Sequence, residues 1–538
     1  MSVDRPYLWW RDGVIYQIYP RSFMDSNGDG IGDLPGITAR LDYLADLGVD
    51  ALWLSPINVS PMHDFGYDIA DYEEIDPVFG TRAEFDGLIA EAHARGLRIM
   101  MDLVINHTSH KHSWFTESRS SRDNPKADWY LWRGRPAGRR HPNNWTAAFG
   151  GPAWEWDEAR RQFYYHMFLR EQPDLNWRNP EVRAALQQMI RFWLDRGVDG
   201  FRLDVVNGYF KDAHFRDNPP RFNPNPFALE WDRQAHVYDR DQPELHDAYR
   251  ELRRLLDSYP ERTSVGEVMG ADPSLVARYL GDGTDQLHMA FNFAFTHQPW
   301  RPRAFQQAIA AAEAAIAPGA WPCYVLSNHD MPRHVTRHGE GPFADARAKV
   351  AAALLLTLRG TPFLYMGEEI GMRSPRLARR DLVDPLGRRG WPFDPGRDNA
   401  RTPMQWDDSL NAGFSAGRPW LPVGPTYRRI NVAAQQSDPN SVLNVYQRLL
   451  RLRRASPALR RGSYRPLRGA SMESLVYVRA TEQQKMLVAL NLFGHPVTIK
   501  GIEPGPWARR FSTHSEVPAP AGQLRLAPFE ATVFELEK

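Results

Sequence analysis

"GITARLDYLADLGVDALWLSP", residues 36–56, is the stretch on which the fold turns. Its first half has the spacing of an amphipathic helix. Gly48 follows, where a helix favours a left-handed C-cap. "VDALWLSP" is then a short apolar run, the pattern of a parallel strand buried on both faces. The same unit returns in "RAEFDGLIAEAHARGLRIMMDLVINH" (82–107) and "PEVRAALQQMIRFWLDRGVDGFRLDVV" (180–206). It returns again in "RELRRLLDSYPERTSVGEV" (250–268) and "ARAKVAAALLLTLRGTPFLYMGEE" (346–369). Such alternation of helix and strand means an α/β fold with a parallel sheet.

Chemically loaded residues end at least four of these strands: Asn106 and His107, Asp204, Glu267, and His329 with Asp330. A (β/α)8 barrel gathers the C-terminal ends of all its strands around one mouth. An open sheet has its crevice at a switch point, and no GxGxxG follows the first strand "VIYQIYP" (14–20). The sequence therefore predicts a (β/α)8 TIM barrel. Residues 107–177, rich in Trp, Pro and Asn, are too long for an ordinary connection and read as a subdomain inserted after strand 3. Residues 370–440 form a second excursion, full of Gly, Pro and Arg. After residue 462, short runs such as "SLVYVRA" and "KMLVALNLF" predict a C-terminal antiparallel β-sandwich. The expected division is 1–106 and 178–462 for the barrel, 107–177 for the insertion and 463–538 for the β domain.

Composition excludes several classes of function. The 538 residues carry a net charge of +1, with basic residues scattered, which argues against nucleic acid or an anionic membrane as partner. There is one cysteine, Cys323, so no internal disulfide framework is expected. No leader-like segment or run of 18 apolar residues occurs. A soluble, cytoplasmic chain, monomeric or homodimeric, is the expectation. Eighteen Trp suit either dense packing or a site that stacks flat-faced ligands.

The chemistry begins with "GFRLDVV" (200–206). Alternate strand residues share a face, so Arg202 and Asp204 point the same way. A cation beside a carboxylate favours its ionised form, which suits a nucleophile. Glu267 ends another buried strand, where apolar surroundings favour the neutral form and a general acid. Asp330 and His329 end a third, and Asp102, Asn106 and His107 a fourth. Several carboxylates and two histidines at one mouth form a constellation for glycosidic bond cleavage. His107, His110 and His112 raise the question of zinc. They read as loop residues and no HExxH accompanies them, which disfavours that metal.

In order along the chain stand "GVIYQIYPRSF", "DSNGDGIGDL", "FGYDIADY", "DLVINH", "QPDLNW", "GFRLDVV", "GEV", "SNHD" and "GRDNARTPMQW". As an ordered set they resemble the α-amylase superfamily, glycoside hydrolase family 13, and within it the α-glucosidase and oligo-1,6-glucosidase branch. The resemblance implies a retaining double displacement. Asp204 would be the nucleophile, Glu267 the acid–base and Asp330 the stabiliser of the transition state, with the first two carboxyl groups about 5–5.5 Å apart. It also implies that Asp64, Tyr67, His107, Phe168, Gln172, Arg202, His329 and Arg401 surround the terminal glucose. Asp64 and Arg401 would close the pocket at its 4-hydroxyl so that only chain ends enter. The substrate would be a short oligosaccharide or glucoside. Val205, after the nucleophile, leans toward α-1,6 over α-1,4 linkages. An isomerase of the trehalose-synthase type and an α-glucosyltransferase share these motifs and are the alternatives.

"DSNGDGIGDL" (25–34) begins like an EF-hand, but its twelfth position is Gly36 rather than a bidentate Glu. The resemblance implies a structural Ca²⁺ or Mg²⁺ there, on Asp25, Asn27, Asp29, the Ile31 carbonyl and Asp33. No cofactor is expected for the catalytic chemistry.

Overall fold

The computed structural model describes residues 7–226, 228–467, 473–514 and 519–537. Eight parallel strands run in chain order: β1 (Ile15–Ile18), β2 (Ala51–Leu54), β3 (Arg98–Leu103), β4 (Gly200–Leu203), β5 (Thr263–Gly266), β6 (Met289–Ala290), β7 (Cys323–Val325) and β8 (Thr361–Tyr365). Each pairs with its neighbour in sequence, and β8 pairs back onto β1 with Phe363 opposite Ile15. Strands β6 and β7 are joined just past β6 by a parallel bridge between Phe291 and Cys323, which completes the ring. The barrel expected from the sequence is the fold.

Helices cover the outside in the expected rhythm: α1 (Leu41–Leu47), α2 (Arg82–Ala94), α3 (Pro180–Asp195), α4 (Glu244–Asp257), α5 (Pro273–Leu280), α6 (Pro302–Ala315), α7 (Ala344–Thr357) and α8 (Val442–Ala455). Local sequence sets their ends. Gly48 closes α1 with φ 96°, a conformation that side chains other than glycine rarely tolerate. Thr81 and Glu84 form a reciprocal capping box that starts α2. Asn179 caps α3 with Pro180 in its first turn. Among the described residues no helix is long and apolar enough to cross a membrane.

The barrel interior is filled by Ile15, Ala51, Trp53, Met100, Val265, Met289, Cys323 and Phe363, all buried. This floor is a packed core rather than a pore. Between β3 and α3 the chain leaves the barrel and builds a small antiparallel sheet from Trp132–Arg133, Gln162–Tyr165 and Trp154–Asp157. Its aromatic side chains pack with Val205, so the excursion rests on the mouth of the barrel.

Past the barrel lie β9 (Ser463–Pro466), β10 (Ser474–Ala480), β11 (Lys485–Asn491), β12 (Val497–Lys500), β13 (Trp507–Ser512), β14 (Gln523–Leu526) and β15 (Ala531–Leu536). One antiparallel sheet has the order β9-β10-β11-β15-β13, and β12 pairs with β14 as a second. Val476, Val478, Leu487, Ile499, Leu524 and Phe534 interdigitate between them. The opposite face of the larger sheet, with Tyr477, Val488 and Val533, joins the main core beside α7. Apolar burial on both faces thus fixes this domain to the barrel.

Candidate active site

Period-two alternation carries the apolar floor up into a charged mouth. Met100 lies in the barrel interior and Asp102 follows it on the same face of β3. Arg202 on β4 has Asp204 two residues on, and Val265 on β5 has Glu267. Arg202 is the hub: Nη1 is 2.8 Å from Asp102 and 2.7 Å from Asp204, and Nη2 is 2.5 Å from Glu267. Burial disfavours the guanidinium charge, but the three carboxyl groups outweigh it and hold its pKa well above the usual value.

Asp204 and Glu267 thus sit on the two terminal nitrogens of one guanidinium. Sharing one cation brings the two carboxyl groups close together, as the retaining mechanism requires. Burial pushes Asp204 well above the usual carboxylate range, Arg202 pulls it down, and Glu267 and Asp102 push it up again. The cation expected beside Asp204 is present at 2.7 Å, but burial and the neighbouring carboxyl groups push the other way. Asp102, buried and held by Arg202, is raised to about 6.

Asp330 has the opposite environment. Burial raises it, yet the cations Arg401 and Arg397 hold it well below the usual range. Arg401 Nη2 lies 2.9 Å from its carboxylate and His329 Nε2 3.3 Å. Burial drives His329 down to about 3, so the ring is neutral. Gln17 donates to its Nδ1 at 2.8 Å, which leaves the proton on Nε2, facing Tyr67 Oη at 2.6 Å. Tyr67 in turn donates to Asp102 at 3.1 Å. A hydrogen-bonded chain thus links Gln17 to the Arg202 cluster.

These groups open onto a cavity of about 390 Å³, within the ordinary range for small-ligand sites. Asp64, Tyr67, His107, Phe168, Gln172, Asp204, Glu267 and Asp330 all line it. Arg202 and His329 lie beneath its wall, fully buried. Gln172 donates to Asp64 at 3.3 Å, and Phe168 meets His107 edge-on at 5.3 Å between centroids. Val205 is on the wall with φ 47°, a left-handed backbone that is strained for a β-branched side chain. Hydrogen bonds from Gly208 N to the Val205 carbonyl and from Val206 N to the Glu267 carbonyl, each 2.9 Å, hold that turn in place.

Arg401 is not where the sequence reading puts it. It is fully buried, donates to the His329 carbonyl at 2.9 Å and to Asp330, and its guanidinium lies 5.3 Å from the Tyr19 ring. Arg397, four residues earlier in the same motif, lines the cavity and reaches Asp64 at 2.7 Å. A short 3-10 turn over Asp398–Ala400 separates the two, and both reach Asp330 Oδ1, Arg401 at 2.9 Å and Arg397 at 3.6 Å. Arg397 is therefore the partner of Asp64, and Arg401 contacts Asp330 from a fully buried position.

In the 25–34 loop, Asp25 accepts from the amides of Asn27, Gly28 and Gly30 and from the Ser415 hydroxyl. Asp33 accepts from Gly36 N and from Ser26. Asn27 accepts from Asp29 N, and Asp29 from Ile31 N. The donor set is all oxygen, as a hard cation requires, but much of its lone-pair capacity goes to the loop's own hydrogens. Among the described residues no three His, Cys, Asp or Glu side chains are grouped as a metal cluster, which holds for His107, His110 and His112 too.

Several wall residues carried no sequence signal. Phe149, Met269, Pro332, Leu386 and Pro395 add apolar surface to the cavity wall. Leu386 sits in the short helix Pro385–Gly390 and the others in loops, and only the tertiary fold collects them.

The family description "Alpha amylase, catalytic domain" matches residues 17–462. The chain is 46% identical to the "Probable alpha-glucosidase" of Rhizobium meliloti over 512 residues, 92% of each chain. It is 41% identical to the oligo-1,6-glucosidase of Parageobacillus thermoglucosidasius over 514 residues, 90% of each. Among solved structures, an α-glucosyl transfer enzyme, XgtA, superimposes with a TM-score of 0.94 at 44% identity, over 99% of this chain and 100% of that one.

Proposed function

Since the chain belongs to the α-amylase family of glycoside hydrolases, we propose that it is a retaining, exo-acting α-glucosidase that releases glucose from the non-reducing end of short α-glucosides. The observation that carries this reading is a single cavity lined by Asp204, Glu267 and Asp330 and bounded by the Asp64–Arg397 pair. In the first step a carboxylate oxygen of Asp204 attacks the anomeric carbon. The bond to the leaving oxygen breaks, and that oxygen takes the proton of Glu267. In the second, Glu267 removes a proton from water, and the resulting oxygen displaces Asp204 from the same carbon. Arg202 balances the charge that moves between the two carboxyl groups, and Asp330, held ionised, faces the positive charge that develops on the sugar.

Val205 supports a modest preference for α-1,6 over α-1,4 linkages, since one wall side chain discriminates by about 1–3 kcal/mol. A second reading, transfer of glucose to an alcohol acceptor in place of water, is supported by the apolar side formed by Phe149, Met269 and Leu386. We further propose a supporting Ca²⁺ or Mg²⁺ at Asp25, Asn27, Asp29, the Ile31 carbonyl and Asp33, on donor chemistry alone.

The test is a rate panel on maltose, isomaltose, sucrose, trehalose and trehalose 6-phosphate, with products identified and an alcohol present in a parallel arm. Free glucose from isomaltose at the highest rate is expected. Rearranged disaccharide as the main product would replace the reading with an isomerase, and glucoside of the added alcohol would replace it with a transferase.

A further inference from the structure

Behind the His107 wall of the cavity lies an ion pair that the catalytic steps do not use. Lys211 and Asp174 are in direct contact, and both side chains are fully buried. They come from distant parts of the chain: Lys211 from the loop after the nucleophile strand, Asp174 from "QPDLNW" in the inserted excursion. Between them sits Asn106. Lys211 Nζ donates to Asn106 Oδ1 at 3.0 Å, and Asn106 Nδ2 donates to Asp174 Oδ2 at 2.9 Å. Asp174 Oδ1 is occupied by Met167 N at 2.8 Å.

An Asn amide has one accepting and one donating end. A lysine offers only hydrogens and a carboxylate only lone pairs, so this pair permits one amide orientation. The NH₂ end must face Asp174, and in that orientation it also reaches His107 Nδ1, at 3.1 Å. His107 Nδ1 is thereby an acceptor. Burial favours the neutral ring, so its single proton is on Nε2, which lies 3.0 Å from the Tyr67 carbonyl; Gln172 Nε2, 3.1 Å from the same ring nitrogen, directs its hydrogens to Asp64 and the Tyr67 carbonyl instead. Tyr67 belongs to the segment that also carries Asp64. With the opposite tautomer, two lone pairs would face each other at that contact and the ring would part from the 64–67 segment.

We propose that the Lys211–Asp174 pair is a positioning device: it fixes the Asn106 amide and, through it, the tautomer with which His107 is seated against the segment that binds glucose. The inference rests on the glucosidase reading for its kinetic consequence but not for its structural one. Partners of this kind orient ligating histidines in metal sites, where their loss costs about 10–100-fold.

Removing one charge alone strands the other, so the test uses two variants that keep the charges balanced. Lys211→Met with Asp174→Asn makes the pair neutral. Asn106→Asp with Asp174→Asn moves the carboxylate next to His107. In both, an oxygen is expected to turn toward His107 Nδ1. In protein with ¹⁵N-labelled histidine, the His107 signal, identified by its loss in His107→Gln, is expected to move from the Nε2–H to the Nδ1–H pattern. KM for the best glucoside is expected to rise about 10–100-fold, by analogy with that metal-site loss, more than kcat falls. A merely structural pair would lower the folded fraction and apparent kcat, leaving KM and the tautomer unchanged. An Nε2–H pattern persisting in either folded variant would overturn the proposal. The nitrogen signal reads the tautomer whether or not the substrate is a glucoside, so a failed glucosidase assignment would show separately, as no turnover in the parent chain.

Discussion

Replacing Arg397 by alanine separates the two arginines of "GRDNARTPMQW". Arg397 Nη2 bonds Asp64 at 2.7 Å and Asp384 at 2.8 Å, with the guanidinium mostly buried and Asp384 fully so. Removing one partner of a buried pair costs about 3–5 kcal/mol of stability. The lower end is expected here, because Asp384 keeps the Arg397 backbone amide at 2.7 Å. The kinetic effect follows from Asp64, which loses a charged partner worth about 1.5–3 kcal/mol in net terms. At about 1.4 kcal/mol per tenfold, kcat/KM should fall by a factor of roughly 10–150. In the proposed reading Asp64 holds a part of the sugar away from the reacting carbon, so the loss should appear in KM, as removal of uniform binding does. Arg401→Ala instead strips Asp330 of its 2.9 Å partner, and the loss should appear in kcat. The assay is steady-state hydrolysis of an aryl α-glucoside, with a thermal melt to certify folding. A folded Arg397→Ala with parental KM, or an Arg401→Ala whose only change is in KM, would refute the reassignment.

Glu368, fully buried at the end of β8 and bonded to Tyr446 at 3.0 Å, is raised by burial from 4.5 to about 8. Its folded form binds a proton that the unfolded form releases between these values, so its contribution to stability falls as pH rises from 4.5 to about 8. Glu368→Gln should therefore raise the melting temperature more at pH 8 than at pH 5, and an equal shift at both would deny the linkage. Val205→Thr should move the ratio of isomaltose to maltose hydrolysis toward maltose by about tenfold, within the reach of one wall side chain; competition between the two sugars reads it, and an unmoved ratio removes Val205 from the linkage argument. Chelation with EDTA should lower the melting temperature by about one degree for each kcal/mol of lost support in a chain of this size, with recovery on adding Ca²⁺ or Mg²⁺; an unchanged melt would leave the 25–34 loop as a self-bonded turn.

The barrel was legible because each helix–glycine–strand unit is a local pattern whose period reflects what it buries. The three carboxyl groups that line the cavity were legible because they follow such strands at the one end where a barrel collects its chemistry. What escaped was set by distance in sequence. Phe149 and Leu386 line the same cavity from distant parts of the chain, with no period to announce them. Arg397 and Arg401 share a motif and a residue type, and only the turn between them decides which faces the cavity. The charge state of Asp204 escaped as well, because Arg202 is visible two residues away whereas the burial that outweighs it is a property of the finished fold.

The measurement that bears most directly on the account is the identity of the residue that carries the sugar between the two steps. The chain is incubated with a fluorinated glucosyl donor that loads quickly and hydrolyses slowly, then digested and analysed by mass spectrometry. The account predicts one glucosyl adduct, on Asp204, with the sugar finally released in its original anomeric form. An adduct on any other residue, or release of the opposite anomer with no adduct, would contradict it.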